Sequence, residues 1–297
     1  MNHILSTHTA YAYAKINLSL DILGTLPNGY HEVRMIMQSL QLHDTVTLTI
    51  TDIPGIIMTC SDSTLPVNEH NLAYRAAALF CDTYRISDGI TLHLEKRIPV
   101  AAGLAGGSSD AAAVLRGLNE MYGHPATAME LAALGVKLGA DVPYCLMLGT
   151  ALSEGIGERL SVLPAAPDCH CLLVKPAAGA STKQIYTAYD ALAQTTDIKH
   201  PDTDALLSAL SAGDYTSLVS GLRNVLEPVT MRLVPEIASI KETLQNLGAD
   251  GVLMSGSGPT VFALFSNPET AKRAEAHFLT TEYAPGTFLT KLYHTGA

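Results

Sequence analysis

The sequence feature that most constrains this chain is a glycine-rich stretch over residues 96–118, which reads KRIPVAAGLAGGSSDAAAVLRGL. The end of an apolar strand leads into the glycines, and an alanine-rich segment that predicts a helix follows them. At such a helix start, free backbone N–H groups and the positive end of the helix dipole point the same way, so the stretch predicts a phosphate site. The alternative is a capped helix start that binds nothing, because Gly and Ser also suit caps and turns.

Polar residues at the start of the predicted helix add to this site. Ser108 and Ser109 stand where hydroxyl side chains cap a helix, and Asp110 stands where a first-turn carboxylate is favourable. The stretch lacks the lysine of the G-x-x-x-x-G-K-[ST] motif, and its glycines do not follow G-x-G-x-x-G. It therefore predicts neither a P-loop nor a Rossmann dinucleotide site.

Composition narrows the classes of partner. The chain has 297 residues, of which 47% are hydrophobic and 15% are charged, and its net charge is -10. This profile indicates a folded protein long enough for two domains. The negative charge argues against binding to nucleic acid or to an anionic membrane, which normally requires a basic face. A local basic pocket is still allowed, and the sequence specifies no oligomeric state.

Cysteine usage and hydropathy predict a soluble, cytoplasmic protein. The five cysteines are an odd number and contain no C-x-x-C pair, so neither a disulfide framework nor a zinc site is predicted. No run of about 18 uncharged apolar residues occurs. The N-terminal residues also lack the basic segment before an apolar core that is typical of a signal peptide.

The order of the predicted elements favours an α+β protein over a doubly wound one, because strands and helices do not alternate in regular βα units. Strands are predicted over residues 11–23, 39–51, 89–94, 172–174, 251–254, 261–265 and 288–293, with a further strand-like run within 143–154. Helices are predicted over residues 71–84, 111–122, 128–138, 182–189, 204–210, 215–222, 234–247 and 269–279. Turn residues between positions 155 and 167 predict a domain boundary, with domains at 1–163 and 164–297.

Three sequence features together predict phosphoryl transfer, which needs a phosphate site, a neutralising cation and a group that orients the acceptor hydroxyl. The glycine-rich stretch supplies the first. Lys15 lies in an otherwise uncharged strand, and Asp141 lies in the turn GADVP directly after a helix that ends at Gly139. Taken singly, Lys15 could be a surface lysine with a buried stem, and Asp141 could be an ordinary turn residue.

Five segments resemble a known superfamily. PVAAGLAGGSSDAA resembles the ATP-binding motif of the GHMP kinases, the group that includes galactokinase, homoserine kinase and mevalonate kinase, and SGSGPTVF resembles their C-terminal glycine motif. These two motifs with AKINLSLDILGTLPNGYHEV, NLAYRAA and LGADVPYCL, in order over residues 14–265, resemble one branch of that superfamily. That branch phosphorylates the cytidine-diphosphate derivative of methylerythritol in the non-mevalonate isoprenoid pathway. The resemblance implies a two-lobed α+β fold, with a ribosomal protein S5 domain 2-like N-terminal lobe and a ferredoxin-like C-terminal lobe.

The resemblance also implies the catalytic pair and its substrate contact. Asp141 matches the general base, and Lys15 matches the catalytic lysine that would keep the carboxylate ionised and offset charge on the acceptor oxygen. Asn17, two residues along the same strand and therefore on the same face, matches a substrate contact.

At the cytosine end of the substrate, the resemblance assigns Tyr30 to stacking on the base and His31, or its backbone, to hydrogen bonding with the base edge. Tyr186 would form the second aromatic wall, with Tyr189 as its rival. A zinc protease motif H-E-x-x-H is excluded, because Met35 takes the place of the second histidine.

For ATP, the resemblance implies a loop whose residues cradle the triphosphate: Pro99, Val100, Ala101, Ala102, Gly103, Leu104, Ala105, Gly106, Gly107, Ser108, Ser109 and Asp110. Asn71 is placed near the adenine, and Asp110 would either orient the nucleotide sugar or favour the helix dipole. The implied Mg²⁺ would be held chiefly by ATP phosphates, with Ser108 or Ser109 as the protein contribution. Ala105 replaces a glycine of the superfamily loop and restricts φ there.

Two alternatives stay open from sequence. The first is another GHMP kinase, such as a homoserine or mevalonate kinase, against which Tyr30 and His31 speak. The second is a catalytically silent nucleotide-binding protein, against which Lys15 and Asp141 speak, because a binding module needs no base.

Overall fold

A computed structural model describes residues 4–27 and 29–295; Asn28 of the predicted Pro-Asn-Gly turn lies outside the described residues. The strands are β1 (Ile4–Thr25), β2 (His31–Thr51), β3 (Gly55–Cys60), β4 (Gly89–Glu95), β5 (Thr150–Gly155), β6 (Arg159–Val162), β7 (His170–Val174), β8 (Arg223–Asn224), β9 (Gly251–Met254), β10 (Val261–Phe265) and β11 (Thr287–Lys291). The helices are α1 (Leu72–Tyr84), α2 (Gly106–Met121), α3 (Ala128–Leu138), α4 (Val142–Met147), α5 (Thr182–Ala193), α6 (Thr203–Ala212), α7 (Tyr215–Gly221), α8 (Glu227–Leu233), α9 (Glu236–Asn246) and α10 (Pro268–Phe278). The predicted α+β class is confirmed.

The chain forms two compact units. The first comprises the residues up to Ala14, Leu42–Val100 and Ala105–Met147. The second comprises Lys15–Gln41, Ala101–Leu104 and the chain from Leu148 onwards.

In the first unit, helices cover a sheet in the order β3-β4-β2-β1. β4 pairs antiparallel with β2 from Thr45↔Glu95 to Thr51↔Gly89, and β3 runs parallel to β4. Helix α2 buries its alanine-rich start, and a Cβ added to Gly117 would lie only 2.5 Å from Leu48 Cδ1. This glycine therefore lets α2 approach the strand closely.

In the second unit, a four-stranded sheet has the order β11-β7-β10-β9, and β10 at its centre is buried along its whole length. Residues 33–38 of β2 pair antiparallel with β5, and β1 pairs in parallel with β8 through Ser19↔Arg223. The sequence of β10, VFALF, is continuously apolar because both of its faces lie in the protein interior.

Two element predictions needed correction. The apolar run after Asp141 begins as helix α4, and strand β5 starts only at Thr150, because short buried apolar runs do not reveal their period. The helix predicted over residues 234–247 begins only at Glu236, as α9, because Val234 and Pro235 separate it from the preceding helix α8, which ends at Leu233. Proline lacks the amide donor and disfavours helical backbone at the residue before it, and Val234 has φ -132° and ψ 81°.

Helix α3 has the predicted bounds, and its start carries a full capping box. Thr127 Oγ1 accepts from Glu130 N, and the Glu130 side chain accepts from the Thr127 amide. Within residues 4–27 and 29–295, no helix is both long and apolar enough to cross a membrane.

Candidate active site

The glycine loop enters α2 through left-handed backbone. Ala101 and Ala105 have φ of 51° and 58°, and Ala105 is the residue that precedes α2. This conformation costs an L-residue other than glycine about 1–2 kcal/mol, so both alanines carry backbone strain. Helix α2 begins directly after Ala105, so the amides of Gly106, Gly107 and Ser108 lie in the first turn of the helix. Amides in a first turn lack intrahelical partners and are therefore free to bind an anion.

The two serines of the loop differ in burial and in hydrogen bonding. The prediction that they cap α2 is wrong, because the helix begins after Ala105 and has no side-chain cap. Ser109 is buried, and its Oγ donates to the Tyr13 carbonyl at 2.6 Å and lies 3.3 Å from Cys145 Sγ. Ser108 is partly exposed, and its Oγ would be 3.9 Å from a Cβ added to Gly139. Of the two hydroxyls, that of Ser108 is therefore the one that fits a magnesium ligand.

Asp141 stands at the start of α4, two residues after Gly139. Its carbonyl accepts from the Cys145 amide at 3.0 Å, which closes the first turn of this short helix. The side chain is partly exposed, whereas the following Val142 and Pro143 are buried. The backbone of Asp141 is thus fixed in the same unit as the loop serine Ser108.

Lys15 is a buried lysine. Its side chain lies on β1 with 5% of the residue exposed, and Nζ donates to Asn17 Oδ1 at 2.7 Å. Asn17 is also buried, and its amide lies 3.4 Å from Met35 Sδ. The two residues share one face of the strand, as predicted. The interpretation of Lys15 as a surface lysine is therefore wrong. Burying an ammonium group is costly unless it is hydrogen-bonded, and Asn17 supplies that bond.

The C-terminal glycine motif packs against the glycine loop and against Lys15. Ser255 Oγ donates to the Gly103 carbonyl at 3.0 Å, and a Cβ added to Gly103 would lie 2.3 Å from the Ser255 carbonyl oxygen. The Lys15 amide donates to Leu104 O at 3.1 Å, and a Cβ on Gly256 would lie 3.4 Å from Lys15 Nζ. Gly103 therefore has a steric reason to lack a side chain, and Gly256 has left-handed backbone, with φ 58°, and a Cβ on it would lie 3.2 Å from the Gly103 carbonyl oxygen.

Two of the three residues predicted to contact cytosine, His31 and Tyr186, lie together, and the role of all three stays a prediction. The rings of His31 and Tyr186 have centroids 4.8 Å apart with an interplanar angle of 46°, and Tyr30 is exposed beside them in sequence. Of the two tyrosines left open by the sequence, Tyr189 is buried in the interior, whereas Tyr186 lies on His31. His31 Nε2 is 2.7 Å from Asp190 Oδ1.

A buried charge cluster, formed by Asp44, Lys96 and Asp110, holds both ends of the glycine loop. Lys96 Nζ donates to Asp44 Oδ2 at 2.5 Å and to Asp110 Oδ2 at 2.6 Å, and the side chains of Lys96, Asp44 and Asp110 are 7%, 0% and 4% exposed. Asp44 Oδ1 also accepts from the Arg97 and Ile98 amides. The strand entering the loop and the helix leaving it are thereby tied to the same charges.

The cluster carries one more carboxylate than it has cations. The pKa of Asp110 is raised to about 7, chiefly by burial and also by the neighbouring Asp44 carboxylate, while Lys96 opposes the rise. Within the described residues, Asp110 Oδ1 has no hydrogen-bond partner. The contribution of Asp110 to nucleotide binding stays a prediction.

We expect this carboxyl to make stability depend on pH. An unfolded aspartate titrates near pH 3.9, so between about pH 4 and pH 7 the folded protein binds more protons than the unfolded chain. The stabilisation from Asp110 is therefore present below about pH 4 and is lost as pH rises through about 7. Relative to Asp110→Asn, the wild-type free energy of unfolding should fall by at most about 1.4 kcal/mol per pH unit across this window. Urea denaturation at several pH values measures both proteins, and parallel pH curves would contradict the shift.

Sequence reasoning did not identify Asp44, Lys96 or Asp190. Lys96 and Asp44 are 52 residues apart, and His31 and Asp190 are 159 apart, so no local motif links them. One usable signal was the spacing of Tyr186 and Asp190, which puts both on one face of α5. Asn71 caps α1, where its oxygen accepts from the Ala73 amide, and its contact with adenine stays a prediction.

Comparisons with known proteins identify the family. The family described as GHMP kinases N terminal domain matches residues 71–149, and the one described as GHMP kinases C terminal matches residues 201–284. The chain is 52% identical over 284 residues to the 4-diphosphocytidyl-2-C-methyl-D-erythritol kinase of Lachnoclostridium phytofermentans, covering 96% of this chain and 97% of that protein. It is 48% identical to the enzyme of the same name from Clostridium acetobutylicum, over 90% of this chain and 93% of that one.

Solved structures give the same result. A crystal structure of 4-(cytidine 5'-diphospho)-2C-methyl-D-erythritol kinase matches with a TM-score of 0.81 and 33% identity, covering 96% of this chain and 99% of that one. A homoserine kinase from Cytophaga hutchinsonii, at 21% identity and a TM-score of 0.76 over 97% of this chain and 95% of that one, shares the fold. The two-lobed GHMP kinase fold predicted from the motifs is confirmed. The chain belongs to the 4-diphosphocytidyl-2-C-methyl-D-erythritol kinase family of the GHMP kinases.

Proposed function

We propose that this protein transfers the γ-phosphoryl group of ATP to the 2-hydroxyl of 4-diphosphocytidyl-2-C-methyl-D-erythritol, a step in the synthesis of isoprenoid precursors. The observation that carries the proposal is the buried Lys15 ammonium, hydrogen-bonded to Asn17 and packed beside the C-terminal glycine motif. A buried cation at a glycine-lined site is suited to the charge that develops in phosphoryl transfer.

In this proposal Asp141 accepts the proton of the substrate hydroxyl. The hydroxyl oxygen forms a bond to the γ-phosphorus, and the bond between that phosphorus and the β–γ bridging oxygen breaks, which releases ADP. Lys15 offsets charge on the acceptor oxygen. Asn17 fixes the position of the Lys15 ammonium through its side-chain oxygen.

The triphosphate lies, in this proposal, on the amides at the start of α2, with residues 99–110 as its cradle. Ser108 would contribute a hydroxyl ligand to Mg²⁺, because the Ser109 hydroxyl is bonded to the Tyr13 carbonyl, and the ion would supply neutralisation of phosphate charge. We place the boundary between the two lobes at residues 163 and 164, which leaves one matched family region on each side.

A coupled assay with purified protein, ATP, Mg²⁺ and the cytidine substrate tests the reaction and the substrate together. Homoserine and mevalonate serve as comparison substrates. Of the three acceptor substrates, we expect only the cytidine substrate to give ADP release. Turnover with homoserine or mevalonate instead would refute the substrate assignment, and no turnover with any of the three would favour the silent nucleotide-binding protein.

Replacing Tyr30 with alanine should raise KM for the cytidine substrate and leave KM for ATP unchanged. The exposed ring is proposed to stack on the cytosine, and such a contact contributes about 0.5–1.5 kcal/mol beyond the area it buries, which corresponds to roughly a twofold to tenfold increase in KM. Steady-state kinetics with each substrate varied measures this change. Tyr30→Phe keeps the ring and is the matched control. Equal KM values for the alanine and wild-type proteins would show that the cytosine does not stack on Tyr30.

A further inference from the structure

The hydrogen bond between His31 and Asp190 determines which ring nitrogen of His31 carries the proton. Nε2 lies 2.7 Å from Asp190 Oδ1, and the side chains of His31 and Asp190 are 13% and 46% exposed. An ionised carboxylate can only accept hydrogen bonds, so Nε2 must donate. In the neutral ring, Nδ1 then carries a lone pair and can only accept.

The ring is also held in orientation by the helix that bears Asp190. Tyr186 and Asp190 lie one turn apart on α5, and the Tyr186 ring packs on the imidazole with centroids 4.8 Å apart. The start of α5 is fixed by the Ser181 cap and by a 3.0 Å hydrogen bond between Thr182 Oγ1 and Ser257 Oγ. Two contacts from one anchored helix therefore set the position of the imidazole and its tautomer.

We propose that Asp190 is a positioning residue that fixes His31 as the Nε2–H tautomer and thereby selects cytosine over uracil in the substrate. This inference rests on the proposed function, in which His31 faces the base edge. Cytosine carries a 4-amino group, which donates, where uracil carries a 4-oxo group, which accepts. The Nδ1 lone pair can therefore pair with cytosine, while it meets a second lone pair on uracil.

The discrimination should be large, because a mismatched hydrogen-bonding group at a partly buried site stays unpaired. We expect wild-type kcat/KM to favour the cytidine substrate over its uridine analogue by roughly tenfold to hundredfold. In Asp190→Asn, the amide can donate to Nε2 as well as accept from it, so both tautomers become accessible. The preference should then fall about tenfold, chiefly through KM for the cytidine substrate, with kcat nearly unchanged.

The experiment compares kcat/KM for the cytidine substrate and its uridine analogue in wild type, Asp190→Asn and Asp190→Glu. The glutamate retains a carboxylate and should recover part of the preference, which a purely structural role would not predict. Asp168→Asn is the matched control, because Asp168 also pairs with a histidine Nε2, that of His294, at 3.0 Å. An unchanged preference in Asp190→Asn would overturn the inference.

Two measurements separate this inference from the proposed function. Calorimetric binding of CDP and UDP, with the ATP loop filled by a non-hydrolysable ATP analogue, needs no turnover. Stronger binding of CDP that Asp190→Asn abolishes supports the inference even if the kinase assay fails. Nitrogen NMR of the His31 ring at about pH 8, where an ordinary histidine is neutral, should show a protonated Nε2 in wild type and a mixture in Asp190→Asn. The same tautomer in both proteins would overturn the inference even if the kinase assay succeeds.

Discussion

Asp141→Asn is expected to remove most of the turnover while ATP affinity stays within a few-fold of the wild-type value. Asparagine keeps the size of the side chain but is neutral and cannot accept the proton. General base catalysis contributes roughly 10²- to 10⁴-fold in rate, so kcat should decrease by a factor within that range. The backbone contact from the Asp141 carbonyl to the Cys145 amide does not depend on the side chain, so the start of α4 should be preserved.

Rapid-quench measurement of a single turnover gives the rate of phosphoryl transfer, and titration with an ATP analogue gives the affinity. Asp204→Asn is a suitable control, because the Asp204 side chain is highly exposed and pairs at the surface with Arg34. Full turnover by Asp141→Asn would refute the general-base assignment. Loss of ATP affinity by more than tenfold would instead assign Asp141 to nucleotide binding.

Lys96→Met is expected to destabilise the folded protein by about 3–5 kcal/mol, because it leaves two buried carboxylates without their shared cation. Asp110→Asn should cost far less, since the amide oxygen can still accept from Lys96 and the excess negative charge is removed. The free energy of unfolding in urea measures both changes.

The control for Lys96→Met is Lys272→Met. Lys272 also pairs with a carboxylate, that of Glu269 at 3.0 Å, but the Lys272 side chain is 61% exposed. Surface pairs contribute about 0–1 kcal/mol, so this variant should unfold almost as the wild type does. A Lys96→Met protein as stable as Lys272→Met would show that the buried charge cluster does not hold the loop.

Local sequence patterns predicted the parts of the site that lie close together along the chain. The spacing of Lys15 and Asn17 put both on one strand face, and the cap at Thr127 with the stop at Gly139 bounded the helix that precedes Asp141. These predictions rely on strand alternation and on helix capping, which neighbouring residues determine.

The remaining parts depend on tertiary contacts. No spacing rule pairs Lys96 with Asp44 or His31 with Asp190, because the two members of each pair are brought together only by the packing of sheets and helices. Ser109 was predicted to cap α2, but it lies within the first turn and is bonded to Tyr13, since the helix begins at Gly106. The helix predicted from Val234 begins two residues later, at Glu236, directly after Pro235.

The contact between Gly103 and Ser255 joins residues 152 positions apart, and it affects when the nucleotide loop can form during synthesis. While the C-terminal glycine motif is still in the ribosome, Gly103 lacks the Ser255 hydroxyl that binds its carbonyl, and Lys15 lacks its neighbour Gly256. Such distant contacts form late, because the loop entropy of closing them must first be overcome. Nascent chains should therefore acquire ATP affinity only near the end of translation, so an incomplete chain does not sequester the nucleotide.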